Sequence, residues 1–239
     1  MIFDNRCGLI TGASRGIGLA TARLLAEHGV DLALFDIDVD QLEQIRAELS
    51  RKGTRAFAYP CDIGDESMVR GAVRAAEADL GRIDILVNNA GIYREHRIPF
   101  IETKSDYWRE KLRVNVLGTM TVTHAVLPGM LERGYGRIVN VSSVAGVYGL
   151  PNNVDYSTSK GAIIAFTQAL AKETAGRNVI VNAVSPGTIG ETPDPASFNY
   201  LGRPGTYDEC AQAICFLASD SSSYIAGQNL VVDGCRKKI

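Results

Sequence analysis

The sequence predicts an α/β fold, a single domain in which helices cover both faces of a parallel β-sheet. Short apolar segments alternate along the chain with longer amphipathic ones, the pattern of repeated strand–helix–strand units. The short segments, such as Ile83–Val87 and Ile138–Val141, are almost continuously apolar, which is typical of strands covered on both faces. The first of them leads into a glycine-rich turn and then into a helical pattern.

Each element follows from its local periodicity and its flanking turn residues. Strands are predicted at Cys7–Thr11, Asp31–Asp36, Ala56–Pro60, Ile83–Asn88, Gly136–Val141, Val179–Val184 and Gln228–Val232. Helices are predicted at Ile17–Glu27, Val39–Arg51, Ser67–Leu80, Lys104–Leu131, Ser157–Ala175 and Tyr207–Leu217. Residues 187–204 are rich in Gly, Pro, Thr and Asp and have weak periodicity, so we expect a loop or lid there. No linker divides residues 1–239 into further domains.

Composition favours a globular protein without nucleic-acid or membrane partners. The 239 residues are 46% hydrophobic and carry a formal net charge of −2, which gives no electrostatic reason to bind nucleic acid or an anionic membrane. We find no apolar run of about 18 residues and no signal-peptide pattern at the N-terminus. The five cysteines are scattered without a CxxC pair, which favours reduced thiols and a cytoplasmic location. The three histidines have no metal-ligand spacing, so we expect no metal site.

The turn Thr11–Gly18 reads Thr-Gly-Ala-Ser-Arg-Gly-Ile-Gly and joins the first strand to the first helix. Glycines let the backbone approach a phosphate closely, and a helix N-terminus favours negative charge. The spacing is GxxxGxG rather than the common GxGxxG, and a glycine turn alone is weak evidence. Its place in the first strand–helix unit makes dinucleotide binding the favoured interpretation.

Asp36 ends the second strand, close to the offset at which an acid meets the adenosine ribose. A carboxylate there accepts a hydrogen bond from a 2′-hydroxyl and repels a 2′-phosphate, which favours NAD over NADP. Arg15 is the contrary signal, because a guanidinium in the glycine turn could bind the 2′-phosphate. Asp36 could also be only a helix cap or turn residue.

Polar residues recur where later strands end or helices are interrupted. Cys61-Asp62-Ile63 follows the third strand, and Asn88-Asn89-Ala90-Gly91 ends the fourth. Both could line a ligand groove at the carboxyl edge of the sheet, or serve only as caps and turns. Asn115 interrupts an apolar helical stretch, which indicates a buried polar residue or a kink. The fifth strand ends at Ser142-Ser143 and places a hydroxyl at the same edge.

Tyr156 and Lys160 have the i,i+4 spacing that places two side chains on one face of a helix. An ammonium about 4 Å from a phenol is worth about 4 kcal/mol at an effective dielectric near 20, or about three pK units. We therefore expect Lys160 to lower the pKa of Tyr156 towards neutrality, where a general acid/base works best. A bare YxxxK could equally be an ordinary surface pair.

Taken together and in this order, Thr11–Gly18, Asn88–Gly91, Asn115, Ser143 and Tyr156/Lys160 resemble the short-chain dehydrogenase/reductase family. The resemblance extends from Arg6 to Gly234 and includes Ser185-Pro-Gly187. It implies a Rossmann-type, doubly wound domain with a seven-stranded parallel sheet, found as a homotetramer or homodimer. It also implies hydride transfer between a nicotinamide cofactor and a small-molecule alcohol or carbonyl substrate.

The resemblance further implies roles for individual residues. Tyr156 would be the acid/base, Ser143 would polarise the substrate oxygen, and Lys160 would bind the nicotinamide ribose. Asn115 would hold a water in a proton relay. The remaining cofactor contacts would be Gly12, Ser14, Arg15, Ile17, Asp36, Asp62, Ile63, Asn89 and Ile189.

Three positions depart from the family pattern. Glu191 stands where many members have a threonine, with Thr192 after it, and the segment 187–203 looks shorter than the lid of many relatives. Cys235 stands in Asp233-Gly-Cys235, where Asp-Gly-Gly is common, and should have little effect because it is distant from the chemistry in sequence. Tyr93–His96, Gly149–Asp155 and Gly190–Tyr200 would border the substrate. Arg94 or His96 could meet a substrate anion, although solvated loop residues are the simpler interpretation.

Two other functions stay open. The Ala-Ser-Arg-Gly-Ile-Gly turn and Phe216–Asp220 resemble NADP-dependent 3-oxoacyl-acyl-carrier-protein reductases, but Asp36 argues against NADP. A catalytically silent nucleotide sensor or scaffold would be expected to lose Tyr156 or Lys160, and both are present.

Overall fold

One parallel sheet organises the molecule. The computed structural model describes residues 1, 3, 5–93, 98–190 and 199–237. Within them a seven-stranded sheet has the order β3-β2-β1-β4-β5-β6-β7, with all pairs parallel. The strands are β1 (Cys7–Thr11), β2 (Asp31–Asp36), β3 (Ala56–Pro60), β4 (Ile85–Asn88), β5 (Gly136–Val141), β6 (Val179–Pro186) and β7 (Asn229–Val232). The predicted seven-stranded, doubly wound architecture is confirmed.

The strand order reverses between β1 and β4, so connections leave these neighbouring strands in opposite directions. Ligands in open α/β sheets bind at the carboxyl edge beside such a switch point. The topology therefore places the end of β1, with its glycine turn, beside the Asn88–Gly91 segment that follows β4.

Helices pack on both faces of the sheet. They are α1 (Gly16–Glu27), α2 (Val39–Arg51), α3 (Glu66–Leu80), α4 (Ser105–Leu112), α5 (Thr119–Arg133), α6 (Val144–Tyr148), α7 (Val154–Thr174) and α8 (Tyr207–Ala218). Residues of α1, α2 and α8 form one apolar core with the sheet, and residues of α3, α5 and α7 form the other. Two cores separated by a sheet explain why the strands are apolar on both faces.

The prediction of one continuous helix at Lys104–Leu131 is wrong, because the structure has three consecutive helical segments there. A π-helical turn, Arg113–Gly118, separates α4 from α5 and contains buried Asn115. The polar interruption seen in the sequence is therefore a kink, because the wider turn aims the Asn115 side chain inward.

The run Ser105–Arg133 also differs from the expectation that no apolar run is long enough to span a membrane. The run is 29 residues long and contains an 18-residue window with a mean hydropathy of 1.3, enough by length and composition, and 39% of that window is buried. This run packs against α3 and α7 and carries buried polar Asn115, Thr119 and Thr123. Its apolar composition is that of a packed core helix.

Candidate active site

A cleft of about 540 Å³ opens at the carboxyl edge of the sheet. The ends of β5 and β6, the segment after β4 and the first residues of α7 form its walls. Its described lining is Ile17, Asn89, Gly91, Ile92, Tyr93, Val141, Ser142, Ser143, Val144, Ala145, Gly149, Leu150, Tyr156, Lys160, Pro186, Gly187, Thr188, Ile189, Tyr207 and Arg236. The cleft thus brings together residues from eight sequence regions, among them three of the four predicted catalytic residues.

Ser143 and Tyr156 meet in this cleft. Ser143 is the N-cap of α6, and its Oγ accepts the N–H of Ala145 at 3.1 Å. The same hydroxyl is close enough to the Tyr156 phenol to lower its pKa. The short helix α6 was not predicted from the sequence, and its cap is what fixes the Ser143 side chain beside Tyr156.

Lys160 lies one turn further along α7 and is buried at 5% exposure. Its Nζ donates to the Val141 carbonyl at 2.8 Å and lies 5.9 Å from the centroid of the Tyr156 ring. The i,i+4 spacing therefore does place both side chains on the cleft side of the helix.

The expectation that Lys160 lowers the pKa of Tyr156 towards neutrality is not met in this structure. The pKa of Tyr156 is raised to about 12, chiefly by burial, with Ser143 acting to lower the pKa and nearby Tyr93 to raise it. Burial also lowers the pKa of Lys160 to about 8. Burial is the dominant effect on both pKa values, because both groups are enclosed and desolvation disfavours the charged form of each. The phenol therefore stays protonated at neutral pH.

Asn115 is buried behind this group. Its Oδ1 accepts the N–H of Ile92 at 2.8 Å, and its Nδ2 donates to the Ile92 carbonyl at 3.2 Å and to Ser159 Oγ at 3.1 Å. The side chain thereby ties the π-helical turn to α7 and to the segment after β4. A Cβ on Gly91 would come within 3.1 Å of Asn115 Oδ1 and 3.5 Å of Lys160 Nζ, so both groups border the same glycine.

The glycine turn fits a phosphate group. Gly12 and Gly16 have φ of +66° and +57°, and a Cβ on Gly12 would lie 2.8 Å from the Ala90 Cα. The N-cap residue of α1, Arg15, makes no side-chain cap, whereas Asp38, Asp65 and Thr206 cap α2, α3 and α8. The first N–H groups of α1 are thus left for an anion, which suits the pyrophosphate of a dinucleotide.

Asp36 is both a turn residue and a candidate ribose ligand. Its Oδ2 accepts the N–H of Ser14 at 3.0 Å, and its Oδ1 accepts the N–H of Asp38 at 3.1 Å. Each carboxylate oxygen keeps a further lone pair for a hydroxyl donor. Arg15 is exposed at the other side of the turn. Asp38, the cap of α2, adds a second carboxylate beside the end of β2.

Asp62, Ile63 and Asn89 lie at the ends of β3 and β4. Asp62 is held by Gly64 N–H at 2.9 Å and by an ion pair with Arg113 at 3.1 Å. Ile63 is buried against Gly118 of the π-helical turn. Asn89 Nδ2 donates to the Thr11 and Gly12 carbonyls at 3.1 and 2.9 Å, which fastens the glycine turn to β4. Asn89 and Ile63 therefore also have structural roles that the sequence analysis did not predict.

Both described ends of the segment 187–204 are fixed by backbone hydrogen bonds. Ile189 lines the cleft and bridges to Gly205, with Gly190 N–H donating to the Gly205 carbonyl at 2.9 Å. At the other end Asn199 pairs with Arg236. Glu191 and Thr192 lie outside the described residues, as do Arg94 and His96, so the predictions made for them are not addressed. Tyr93, Gly149 and Leu150 do border the cleft as predicted.

Several cleft-related residues were missed by sequence reasoning. Ser142 Oγ donates to the Lys160 carbonyl at 2.8 Å, and a Cβ on Gly146 would lie 2.5 Å from the Lys160 carbonyl carbon. Arg236, next to the supposedly remote Cys235, reaches the cleft wall. No pattern of spacing identifies these contacts, because they depend on helix packing and on the path of the C-terminus. Among the described residues no group of His, Cys, Asp and Glu side chains could hold a metal ion.

The fold and this cleft define an NAD(P)-type oxidoreductase scaffold, and the chain belongs to the short-chain dehydrogenase family, whose pattern it matches over residues 6–198. It is 40% identical to the 3-oxoacyl-acyl-carrier-protein reductase FabG of Thermotoga maritima, with 98% of each chain covered. The crystal structure of NAD⁺-bound xylitol dehydrogenase superimposes with a TM-score of 0.89 at 37% identity, covering 96% of this chain and 98% of that one. A 3-oxoacyl-acyl-carrier-protein reductase with bound NAD from Brucella melitensis gives 0.89 at 36% identity, covering 96% and 90%.

Proposed function

We propose that this protein transfers hydride between NAD(H) and a ketone or secondary alcohol, with Tyr156 as the acid/base. The observation that carries the proposal is that the hydroxyls of Ser143 and Tyr156 meet beside buried Lys160, in the cleft that Ile17 of the glycine turn also lines. Bound nicotinamide would supply or accept the hydride, which protein side chains cannot do.

The roles of the residues follow from their positions. In reduction, hydride arrives at the carbonyl carbon while the proton on Tyr156 Oη passes to the oxygen. Ser143 Oγ, held by the α6 cap, donates a hydrogen bond to that same oxygen. Lys160 contributes donors for the nicotinamide ribose, and Asn115 keeps the π-helical turn against α7 so that Lys160 stays in place.

The protonated phenol favours the reductive direction at neutral pH. With a pKa of about 12, Tyr156 carries the proton that a ketone requires, whereas alcohol oxidation requires the phenolate.

NAD(H) is proposed as the cofactor, with NADP(H) as the alternative. The preference is supported by the carboxylates of Asp36 and Asp38 at the end of β2, which would repel a 2′-phosphate bound there, and exposed Arg15 is the opposing charge. Two of the similar solved structures are described as NAD-bound.

A second candidate is reduction of a 3-oxoacyl thioester carried by acyl carrier protein. It is supported by the FabG relative at 40% identity over nearly the full length. Both candidates use the same residues and differ in substrate and cofactor.

We further propose that the protein is a cytoplasmic homotetramer or homodimer. Exposed apolar residues on the long helices, Leu117, Met120 and Val154, offer candidate interfaces between copies. The five described cysteines are all unpaired, which suits a reducing compartment.

The test combines cofactor titration with turnover. Purified protein is titrated with NADH and NADPH by nicotinamide fluorescence and then assayed on ketones, alcohols and a 3-oxoacyl thioester. We expect tighter NADH binding, turnover of a ketone, and a Tyr156→Phe variant that binds cofactor but loses turnover. Tyr224→Phe, which alters a fully exposed tyrosine, is the control. Preference for NADPH with thioester turnover would support the second candidate, and binding of neither cofactor would favour a silent scaffold.

A further inference from the structure

The C-terminal residues fold back onto the cleft. Gly234–Arg236 pair with Asn199–Leu201: Tyr200 N–H donates to the Cys235 carbonyl at 2.9 Å, and Leu201 N–H to the Gly234 carbonyl at 3.2 Å. Asn199 is itself buried, and its Nδ2 donates to the Arg203 carbonyl at 2.7 Å. The backbone of Arg236 is thus held on the wall of the cleft.

The Arg236 side chain is a half-buried cation in that wall. It lines the same cleft as Tyr156 and Ser143. Asp233 is the acidic residue nearest to Arg236 in the sequence. Its Oδ1 accepts the N–H of Cys235 at 3.0 Å rather than a hydrogen bond from the guanidinium. No ion pair of the Arg236 guanidinium occurs among the described residues, which are 1, 3, 5–93, 98–190 and 199–237.

Within the part of the chain that the structure describes, no acidic side chain compensates the charge of Arg236. The described lining contains no Asp or Glu, and its other cation, Lys160, is bound to the Val141 carbonyl. By contrast, nearby Arg203 lies outside the lining and pairs with Glu209. A guanidinium offers a planar fork of donors that matches carboxylate and phosphate oxygens. Arg236, half-buried and with no acidic partner among the described residues, is therefore suited to bind an oxyanion of a ligand.

We propose that Arg236 is a specificity-determining residue that binds an anionic group of the substrate, so that the preferred substrates are carbonyl or hydroxy compounds bearing a carboxylate or phosphate. This inference rests on the proposed function and names the substrate class of the same site. The competing source of an oxyanion is the cofactor, whose phosphates could also meet this guanidinium.

The test uses two matched pairs of ketones that differ in one charge: acetoacetate with methyl acetoacetate, and dihydroxyacetone phosphate with dihydroxyacetone. Binding of each to the NADH-loaded protein is followed by nicotinamide fluorescence, which requires no turnover, and kcat/KM is measured alongside. At least one charged member should bind wild type about 10- to 100-fold more tightly than its neutral partner. The pair that shows the difference identifies carboxylate or phosphate as the group.

The variants assign the effect to the side chain. Arg236→Met should remove the preference for the charged member and leave the affinity for the neutral one unchanged, while Arg236→Lys should restore part of it. Arg74→Met, an exposed arginine on α3, makes the same change in net charge away from the cleft and should change nothing. Thermal unfolding of each variant separates a folding defect from a binding defect.

Three outcomes would overturn the inference: equal binding of charged and neutral partners by wild type, an unchanged preference in Arg236→Met, or weaker NADH binding in Arg236→Met, which would assign the guanidinium to the cofactor. Failure of the proposed function looks different. In that case Tyr156→Phe would not alter turnover, whatever the variants of Arg236 do to binding.

Discussion

Lys111 on α4 forms a buried ion pair with Asp155 at the start of α7, with Nζ and Oδ2 2.8 Å apart and side-chain exposures of 5% and 7%. The other carboxylate oxygen of Asp155 accepts the N–H of Tyr156 at 2.8 Å. One carboxylate therefore connects the helix before the π-helical turn to the backbone of the proposed acid/base.

We expect Lys111→Met to destabilise the protein by about 3–5 kcal/mol, because it leaves the Asp155 carboxylate buried without its partner. The Lys111→Met/Asp155→Asn double variant should recover much of that loss, since it removes the unpaired charge. Urea unfolding of the two variants measures both values. The surface pair Arg70–Glu66, at 2.6 Å, is the control, and Arg70→Met should cost less than about 1 kcal/mol. A Lys111→Met loss no larger than that of Arg70→Met would show that the buried pair contributes little.

Lys160 predicts a pH dependence of stability. Burial lowers its pKa in the folded protein to about 8 from the ordinary lysine value of 10.5. Between these values the unfolded chain binds a proton that the folded chain does not, so the free energy of unfolding rises with pH across this window. Below about pH 8 both states are protonated, and the full cost of burying the charge is present.

The measurement compares wild type with Lys160→Met by urea unfolding from pH 7 to pH 10. The free energy of unfolding of wild type, relative to that of Lys160→Met, should rise by about 1.4 kcal/mol per pH unit inside the window. Below the window this difference should stay constant. Other titrating groups cancel because both proteins contain them. A difference that is flat over the whole range would mean that Lys160 titrates normally.

Asp36 predicts cofactor selectivity. Asp36→Ala should lower the ratio of kcat/KM for NADH to that for NADPH by about 10-fold or more, because it removes a hydroxyl acceptor and a charge that repels phosphate. It should also cost some stability, since Ser14 N–H and Asp38 N–H lose their acceptor. Asp40→Ala, which removes an exposed carboxylate in the first turn of α2, is the matched control. An unchanged ratio in Asp36→Ala would assign selectivity to another residue.

The sequence predicts the sheet well because buried parallel strands are short apolar runs that allow little else. Only the ends of the strands differ from the prediction. β4 begins at Ile85, because the Asp84 carboxylate accepts the N–H of Cys7 at 3.2 Å. β6 continues to Pro186. Asn115 was identifiable as an interruption because polar residues are rare in apolar helices.

What could not be predicted depends on three-dimensional packing. Helix α6 is five residues long and has no periodicity to detect. Lys111 and Asp155 are 44 positions apart, and neither has a partner within reach along its own helix. The pKa of Tyr156 was misjudged because spacing gives the charge neighbour but not the extent of burial, and burial is the larger effect. Arg236 was missed because nothing in its sequence shows that the C-terminus returns to the cleft.

Gly146 provides a test of how α6 supports the site. A Cβ there would lie 2.5 Å from the Lys160 carbonyl carbon and 2.6 Å from the Gly161 nitrogen, both backbone atoms that cannot rotate away. We therefore expect Gly146→Ala to push α6 away from α7 and to increase the distance between Ser143 and Tyr156. As a result kcat/KM should fall about 100-fold. Gly71→Ala, in α3 with no atom within 4 Å of the added methyl, should leave activity unchanged and stabilise the helix by up to about 1 kcal/mol. Steady-state kinetics and thermal unfolding of the pair separate the two effects, and wild-type kcat/KM in Gly146→Ala would mean that the close approach of α6 to α7 does not position Ser143.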